Sequence, residues 1–446
     1  MSGFGVGDVR TAARGEWLFE QIVTLGTVVL KDLGGGRAGE MAAHRYLSSP
    51  HVTTEGVLEA LGSRTGRACV GRRIVAAQDT TEISFSGAAA GRRGLGPAGD
   101  GKSAGFFIHA VAAIDADDEA LLGVVGARIW TRGPGPVGPR RTRPVEDKES
   151  RRWAEGSQMA GERLAQASQV VVVADQEADI YSHFARRPPK TELVIRARHD
   201  RALADGGKLF EQAATWPVHT QALVAVAPKG PGDRGRVAQV AIRSERVRLA
   251  RPARAPRTDP ADLEMGLVEV SEPNPPEGVK PIVWRLATTL PVDTPQAAEE
   301  AVRLYRLRWR IEELFRSLKS DGLRLDETQL REPLRLFRLA ALALGASARI
   351  IQLVDARDGG SRPMSDVLDA SLAPAVAALS RSREGATARQ KNPHPQGSLA
   401  WLSWVVARYG GWNCYGKPPG PKTMAKGWQR FAANLSGFIL ASEPNV

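Results

Sequence analysis

The sequence predicts an α/β core with a mixed sheet, interrupted by an antiparallel β insertion and flanked by helical regions at both ends. Three observations lead there. Short apolar runs are followed by an alternation of helix-like and strand-like segments. A proline-punctuated stretch then carries further strand-like runs, and helical spacing dominates both ends of the chain.

The first stretch, to about residue 70, reads as short helices. Trp17, Leu18, Ile22 and Val23 recur at helical spacing, and the Ser49-Pro50 break is followed by a plausible capped helix start over residues 53–58. Residues 74–77, 106–114 and 122–129 are short apolar strands separated by loops rich in Gly and Arg. Residues 149–166 look helical, 170–174 form a valine-rich buried strand, and 193–197 a further strand after a short helix at 178–185. From about 200 to 290 the runs 223–227, 237–242, 247–249, 266–270 and 282–288 read as strands between proline-rich turns. After Pro295 the chain is helical to about 354, mixed over 355–397, and helical again on either side of a loop at 410–421. The expected organisation is a helical region at 1–70, a core in two parts at 71–200 and 291–355, the β insertion at 201–290, and a mostly helical region at 356–446.

A chain of 446 residues suggests two or three units, and 42% hydrophobic content suffices for their cores. Sixty-one Lys and Arg against 49 Asp and Glu leave a net charge of +12, and the sequence pI is near 10.0. Such a surplus suits a polyanionic partner, although an Arg-rich composition alone produces the same excess. The two cysteines, Cys69 and Cys414, form neither a zinc spacing nor a disulfide framework. No secretory leader is visible at the N-terminus, and no uncharged apolar run reaches the ~18 residues that span a bilayer. The expectation is a soluble, intracellular protein.

Three acidic residues stand out by context. Asp79 closes the strand expected at 74–77, and Asp175 closes the one at 170–174. A carboxylate at a strand end is held rigidly, where metal sites of α/β folds tend to lie, but either Asp alone also suits a turn or a helix cap. Tyr305, Arg308, Glu312 and Lys319 fall, on one continuous helix, within roughly 60° of one another. Leu304, Leu307, Ile311, Leu314 and Leu318 form the apolar stripe beside them. A merely solvated amphipathic helix accounts for the charges, but not for their pairing with two strand-end aspartates.

Several blocks carry a resemblance: IVAAQDTTEISFSG, GFFIHAVAAIDADDEALLGVVGARIWTR followed by EDKESRRW, VVVVADQEADIYSHF with ELVIRARHDR, YRLRWRIEELFRSLKSDG, and the tail GPKTMAKGWQRFAANLSGF. They run from about residue 73 to the C-terminus, with a weaker match in AAHRYLSSPHVTTEGVLEA. The fourth contains a complete Y-x-x-R-x-x-x-E-x-x-x-x-x-x-K signature. The sequence resembles the bacterial DDE transposases of the insertion-sequence-four, Tn-five-like family.

The resemblance implies an RNase H-like core in which Asp79, Asp175 and Glu312 hold two Mg²⁺ or Mn²⁺ ions, consistent with the preference of hard cations for oxygen. It implies phosphate contacts from Tyr305, Arg308 and Lys319, and a base-stacking role for Trp284 where a core tryptophan is the alternative. Arg196, Arg198 and His199 match a basic DNA-contact segment, or else form a solvated strand end. Gln176 stands where many relatives carry Arg, which puts one DNA contact in doubt. Arg234, Arg236, Arg243, Arg246, Arg248 and Arg251 suggest a phosphate-binding face on the insertion, with a solvated strand face as the default.

The implied activity is cut-and-paste transposition: nicking at transposon ends, a DNA hairpin, and joining of 3′-ends to target DNA. Synapsis of two ends implies a homodimer, with residues 420–435 resembling the dimerising segment or else closing their own core. The first 70 residues would bind the DNA end. The expected location is the bacterial cytoplasm, on the nucleoid when DNA is bound. An RNase H-like nuclease without strand transfer, or a catalytically dead DNA-binding regulator, are the competing readings.

Overall fold

The computed structural model describes Phe4 and residues 8–85, 94–98, 103–133, 150–226, 235–319 and 322–442. Arg234, Ser86, Gly87 and residues 146–149 of the EDKESRRW block lie outside the described residues. The chain divides into two compact units. The first comprises Met1–Arg73, Thr80–Gly138 and Arg310–Val446, the second Ile74–Asp79 and Pro139–Trp309.

The first unit opens with helices α1 (Val9–Leu25), α2 (Leu30–Leu33), α3 (Arg37–Ser48) and α4 (Thr54–Ala68). The expected capped start is present, and Thr53 is the cap: it accepts a hydrogen bond from the Gly56 N–H at 2.9 Å, satisfying one free donor of the first turn of α4. Leu18, Ile22 and Val23 are fully buried along one face of α1. β1 (Arg73–Phe85) passes from one unit to the other after Asp79. β2 (Ala104–Asp115) and β3 (Leu121–Trp130) pair antiparallel, with bulges between Val111 and Ala112 and between Ala113 and Ile114.

Both strands contribute long buried runs, and the helices that follow supply the rest of the core. These are α9 (Trp309–Leu318), α10 (Pro333–Asp355), α11 (Ala373–Arg383), α12 (Leu399–Tyr409) and α13 (Pro421–Ser442). The stretch containing α10, Pro333–Asp358, is long and apolar enough by composition to cross a membrane, its most apolar part having a mean hydropathy of 1.5. That part is 78% buried within the protein, as expected of a core helix. Gln352 donates from α10 to the Leu122 carbonyl of β3 at 2.7 Å, a polar tie inside this apolar packing.

The second unit takes the first part of β1 and lays beside it β4 (Gln169–Ala174), β5 (Thr191–Arg196), β9 (Val283–Thr288), β8 (Asp262–Ser271), β7 (Arg236–Ala250) and β6 (Thr220–Val226), in that order. β4 and β5 run parallel, joined through α6 (Tyr181–Ala185), while β5–β9, β9–β8, β8–β7 and β7–β6 are antiparallel. The mixed sheet expected from the sequence is therefore present in this unit. α5 (Arg151–Arg163), α7 (Leu209–Ala213) and α8 (Pro295–Arg306) complete it.

Two expectations change. The runs at 237–242 and 247–249 are one continuous strand, β7. Its polar centre is tolerated because Ser244 donates to the Val292 carbonyl at 2.9 Å and Arg243 lies opposite Glu269. The strand expected at 74–77 continues to Phe85, so Asp79 lies inside β1 and not at its end. Beyond Asp79 the alternation of buried Thr81, Ile83 and Phe85 with more exposed neighbours keeps the chain extended.

The tail helix α13 turns Met424, Trp428, Phe431 and Leu435 into its own unit, where Phe431 meets the Tyr409 ring of α12 at 6.1 Å. The close approach depends on Gly427, where an added Cβ would lie 2.0 Å from the Val406 carbonyl oxygen. Gly427→Ala should therefore cost about 2 kcal/mol, because backbone must shift. Gly437, with no atom within 4 Å of an added Cβ, should gain up to about 1 kcal/mol on mutation to Ala. Urea midpoints of the two variants check this; equal midpoints would contradict the packing argument.

Candidate active site

The second unit brings two of the proposed ligands to neighbouring strands. β4 is buried along Val170–Ala174 and delivers Asp175 directly at its end. β1, next to it in the sheet, carries Asp79. Asp175 caps a short 3₁₀ turn, Gln176–Ala178, accepting the Glu177 N–H at 2.8 Å. The capping role considered for it is thus real, and it fixes the carboxylate's orientation. Burial pushes the Asp175 carboxyl above the usual aspartate range; the Glu177 N–H opposes this, the Glu177 charge adds to it, and Arg308 and Arg152 pull it back.

Asp79 accepts a hydrogen bond from Arg308 Nη1 at 2.7 Å, with side-chain exposures of only 21% and 13%. Arg308 does not lie in a continuous helix. α8 ends at Arg306, and the Leu307 and Arg308 N–H groups bond back to Leu304 and Tyr305 at 3.1 and 3.0 Å. These i→i+3 bonds tighten the turn before α9 starts at Trp309. The single polar stripe expected for Tyr305, Arg308, Glu312 and Lys319 is accordingly divided: Tyr305 on α8, Arg308 in the turn, Glu312 in the first turn of α9 and Lys319 just beyond its end. The apolar companions Leu304, Leu307, Ile311, Leu314 and Leu318 are all buried.

Tyr305 is buried, and its phenol is pushed up by burial while the charges of Arg308 and Arg196 draw it down. The Trp284 ring on β9 lies 6.4 Å from the Tyr305 ring at 57°. Trp284 itself is half-buried, neither sealed in the core nor fully open.

The segment after β5 is organised by a residue that sequence reasoning passed over. Asp179 is 4% exposed, and one of its oxygens accepts the backbone N–H groups of Arg198 and His199 at 2.8 and 2.9 Å. Its other oxygen pairs with Arg201. The side chains of Arg198 and His199 are exposed, so a buried anion holds the backbone of a basic loop in place. Nothing in the DQEAD string distinguishes this aspartate; its partners lie about twenty residues on.

The arginines of β7 do not form an open anion-binding face. Arg246 pairs with Glu264 at 2.8 Å, Arg248 with Asp262 at 2.9 Å, Arg243 approaches Glu269 at 3.8 Å, and Arg236 pairs with Glu272. Carboxylates on β8, and Glu272 just past it, face these arginines, Glu269 being shared with Arg285 at 2.7 Å, while Arg251, just past β7, donates to the Arg257 and Asp259 carbonyls.

In the first unit Glu312 is half-buried on α9. Lys319 has its ammonium pulled down by burial, opposed by Glu82 and Asp326. It lines a cleft of about 690 Å³ together with Glu82, Arg324, Asp326 and Lys422.

Among the described residues no group of three or more His, Cys, Asp or Glu side chains is placed to hold one metal ion. The two carboxylates that the second unit carries on neighbouring strands, Asp79 and Asp175, offer only oxygen, the donor type that Mg²⁺ and Mn²⁺ prefer. The raised Asp175 carboxyl fits as well, since a cation would favour its ionised form.

Two outcomes follow. Asp179→Ala should lower stability by about 3 kcal/mol, because Arg201 would stay buried without its counter-charge; urea denaturation measures it, and a loss below 1 kcal/mol would contradict the anchoring role. A carboxyl raised in the folded state adds stability below its ordinary value of 3.8 and loses it as pH rises through the raised value. Metal-free Asp175→Asn should therefore melt higher than the parent at pH 7, the gain shrinking as pH falls toward 4. A lower melting temperature at pH 7 would show that burial does not strain this carboxylate.

Comparison with known protein families gives a match over residues 144–348, which include Asp175, Glu312, Trp284, Tyr305, Arg308 and Lys319 and the basic segment at 196–199, whereas Asp79 precedes them. The model matched is that of the transposase DDE domain, and the likeness supports a DDE transposase.

Proposed function

We propose that the chain is a cut-and-paste DNA transposase working by two-metal phosphoryl transfer. The observation that carries this reading is the pair of carboxylates on neighbouring strands, Asp79 and Asp175, with Arg308 beside them, in a chain whose residues 144–348 match the transposase DDE domain.

Asp79, Asp175 and Glu312 would hold two Mg²⁺ or Mn²⁺ ions, which when bound favour the attacking hydroxyl and the leaving oxygen of a phosphodiester. Arg308 presents a guanidinium whose fork suits a phosphate as well as a carboxylate, so it can orient the scissile backbone while neutralising Asp79. Tyr305 offers a phenolic hydroxyl and Lys319 a point charge for flanking phosphates. Trp284, half-buried beside Tyr305, has an aromatic face suited to an unstacked base, as a tight hairpin would require. Arg196, Arg198 and His199 would grip the backbone further along, their loop held by Asp179. Gln176, at the same turn, offers a neutral amide where an arginine would add charge.

Residues 1–70 would read the transposon end, 201–290 would be an insertion between core segments 71–200 and 291–355, and 356–446 would contribute to a homodimer on two ends. The apolar face of α13 is already engaged within its own unit, so a partner would have to use other surface of that region. The site of action would be the bacterial cytoplasm, on nucleoid DNA.

The test is incubation of the full chain with DNA carrying the terminal repeats of its own element, with and without Mg²⁺, scoring cleaved, hairpin and joined products. Cleavage and joining should require the metal, and Asp79→Ala, Asp175→Ala and Glu312→Ala should each reduce both to background. Full activity in any of these variants would refute the site. Cleavage without joining would identify a nuclease, and binding without cleavage a regulator.

A further inference from the structure

A buried chain of hydrogen bonds runs beneath the Asp175 turn, outside the groups assigned to DNA or metal. Gln78 Nε2 donates to Ser157 Oγ at 3.2 Å. Ser157 Oγ lies 2.7 Å from His183 Nε2, and His183 Nδ1 lies 3.2 Å from the Ala178 carbonyl oxygen. One proton arrangement satisfies every member. A carbonyl only accepts, so Nδ1 carries the imidazole proton; Nε2 then accepts from the serine hydroxyl, which accepts in turn from Gln78. Gln78 and Ser157 are 0% exposed and His183 2%, so the serine has no access to a substrate. Burial draws the His183 pKa down to about 4, which keeps the imidazole in the neutral form that this arrangement needs.

The two ends of the chain are what give it meaning. Gln78 immediately precedes Asp79 on β1, and successive strand residues point to opposite faces. Gln78 therefore grips the strand from the face opposite the carboxylate. Ala178 ends the 3₁₀ turn that Asp175 caps. The middle of the chain, Ser157, belongs to α5, and the same helix sends Arg152 to Glu177 of that turn at 2.6 Å. α5 is thus tied by side chains both to the strand carrying Asp79 and to the turn carrying Asp175. Packing alone does not call for this: apolar side chains would fill the space without the demand that each polar atom find a partner.

We infer that Gln78, Ser157 and His183 are positioning residues that fix the spacing of the Asp79 and Asp175 carboxylates for divalent cations. This rests on the reading of those two residues as metal ligands. Groups bonded directly to metal ligands change metal affinity by roughly 10- to 100-fold when removed, and residues that act through the strand and turn carrying the ligands should reach the lower end of that range.

The experiment is a titration of the metal-free full-length protein with Mn²⁺, reading the electron paramagnetic resonance signal of the free ion. The parent should remove Mn²⁺ from solution, and Asp175→Asn should weaken this. Ser157→Ala, which breaks the chain at its centre without touching either carboxylate, should raise the Mn²⁺ dissociation constant at least about tenfold. Hydrogen exchange over residues 175–180 should quicken in the same variant. Parent protein that leaves the Mn²⁺ signal unchanged overturns the ligand reading before any variant is compared. Parent-like Mn²⁺ affinity in folded Ser157→Ala overturns the positioning role alone. If Ser157→Ala does not fold, His183→Gln undergoes the same comparison, with the same outcomes for and against.

Discussion

The ion pair between Asp79 and Arg308 is the constraint around which the second unit's site is arranged. Both groups are largely withdrawn from water, and at 2.7 Å each offsets much of the other's cost of burial. Their sequence separation means that β1 and the turn ending α8 must meet for either charge to be tolerated. That requirement gives the turn its purpose. Had α8 run on without the tightened bonds at Leu307 and Arg308, the guanidinium would have been carried along a helix face. Asp175, by contrast, is held by a peptide N–H and feels Arg308 and Arg152 at longer range, so burial prevails and its carboxyl stays raised. Two aspartates on adjacent strands therefore sit in different electrostatic states, one neutralised by a fixed cation and one short of positive charge.

The basic surplus of the chain is distributed in a way that net charge conceals. Arg236, Arg243, Arg246 and Arg248 look, in the sequence, like a cationic strand, but each faces a carboxylate across the sheet. The Arg246 and Arg248 pairs are exposed and contribute little to stability, whereas Arg236 and Arg243 face buried carboxylates; each pairing reduces the field left for a polyanion. Arg198 and His199 are the opposite case: their side chains are exposed, and the carboxylate that serves them, Asp179, is buried beneath their backbone. A loop whose peptide groups are fixed while its side chains are open loses less freedom on meeting DNA than a flexible one would.

What the sequence made legible divides along the same physical line. β2, β3, β4 and β5 were readable because apolar runs of strand length have few other uses, and α4 because a capping threonine announces its start. Asp79 was readable as a candidate but misplaced at a strand end, since the polar half of β1 carries its apolar signal only on alternate residues. The break between α8 and α9 was not readable. Leu304, Leu307 and Ile311 keep the spacing of an unbroken helix, and all three are buried on either side of the break. Periodicity reports which residues are buried, not whether the hydrogen-bond ladder between them is continuous.

Asp179, Ser157 and His183 escaped the sequence for a related reason. Hydropathy marks polar residues as surface, and a buried polar residue becomes intelligible only through a partner distant in the chain. Gln78 and His183 are joined through Ser157, with no local pattern to connect them. Such chains are demanding to build, because one missing partner leaves the rest unsatisfied in a medium where that is costly. They are correspondingly stiff once complete. If Asp79 and Asp175 share cations as proposed, their site needs stiffness more than it needs apolar packing. The side-chain chain beneath Asp175 ties β1 to the Asp175 turn through α5, and that tie is the rigidity on which the proposed positioning role draws.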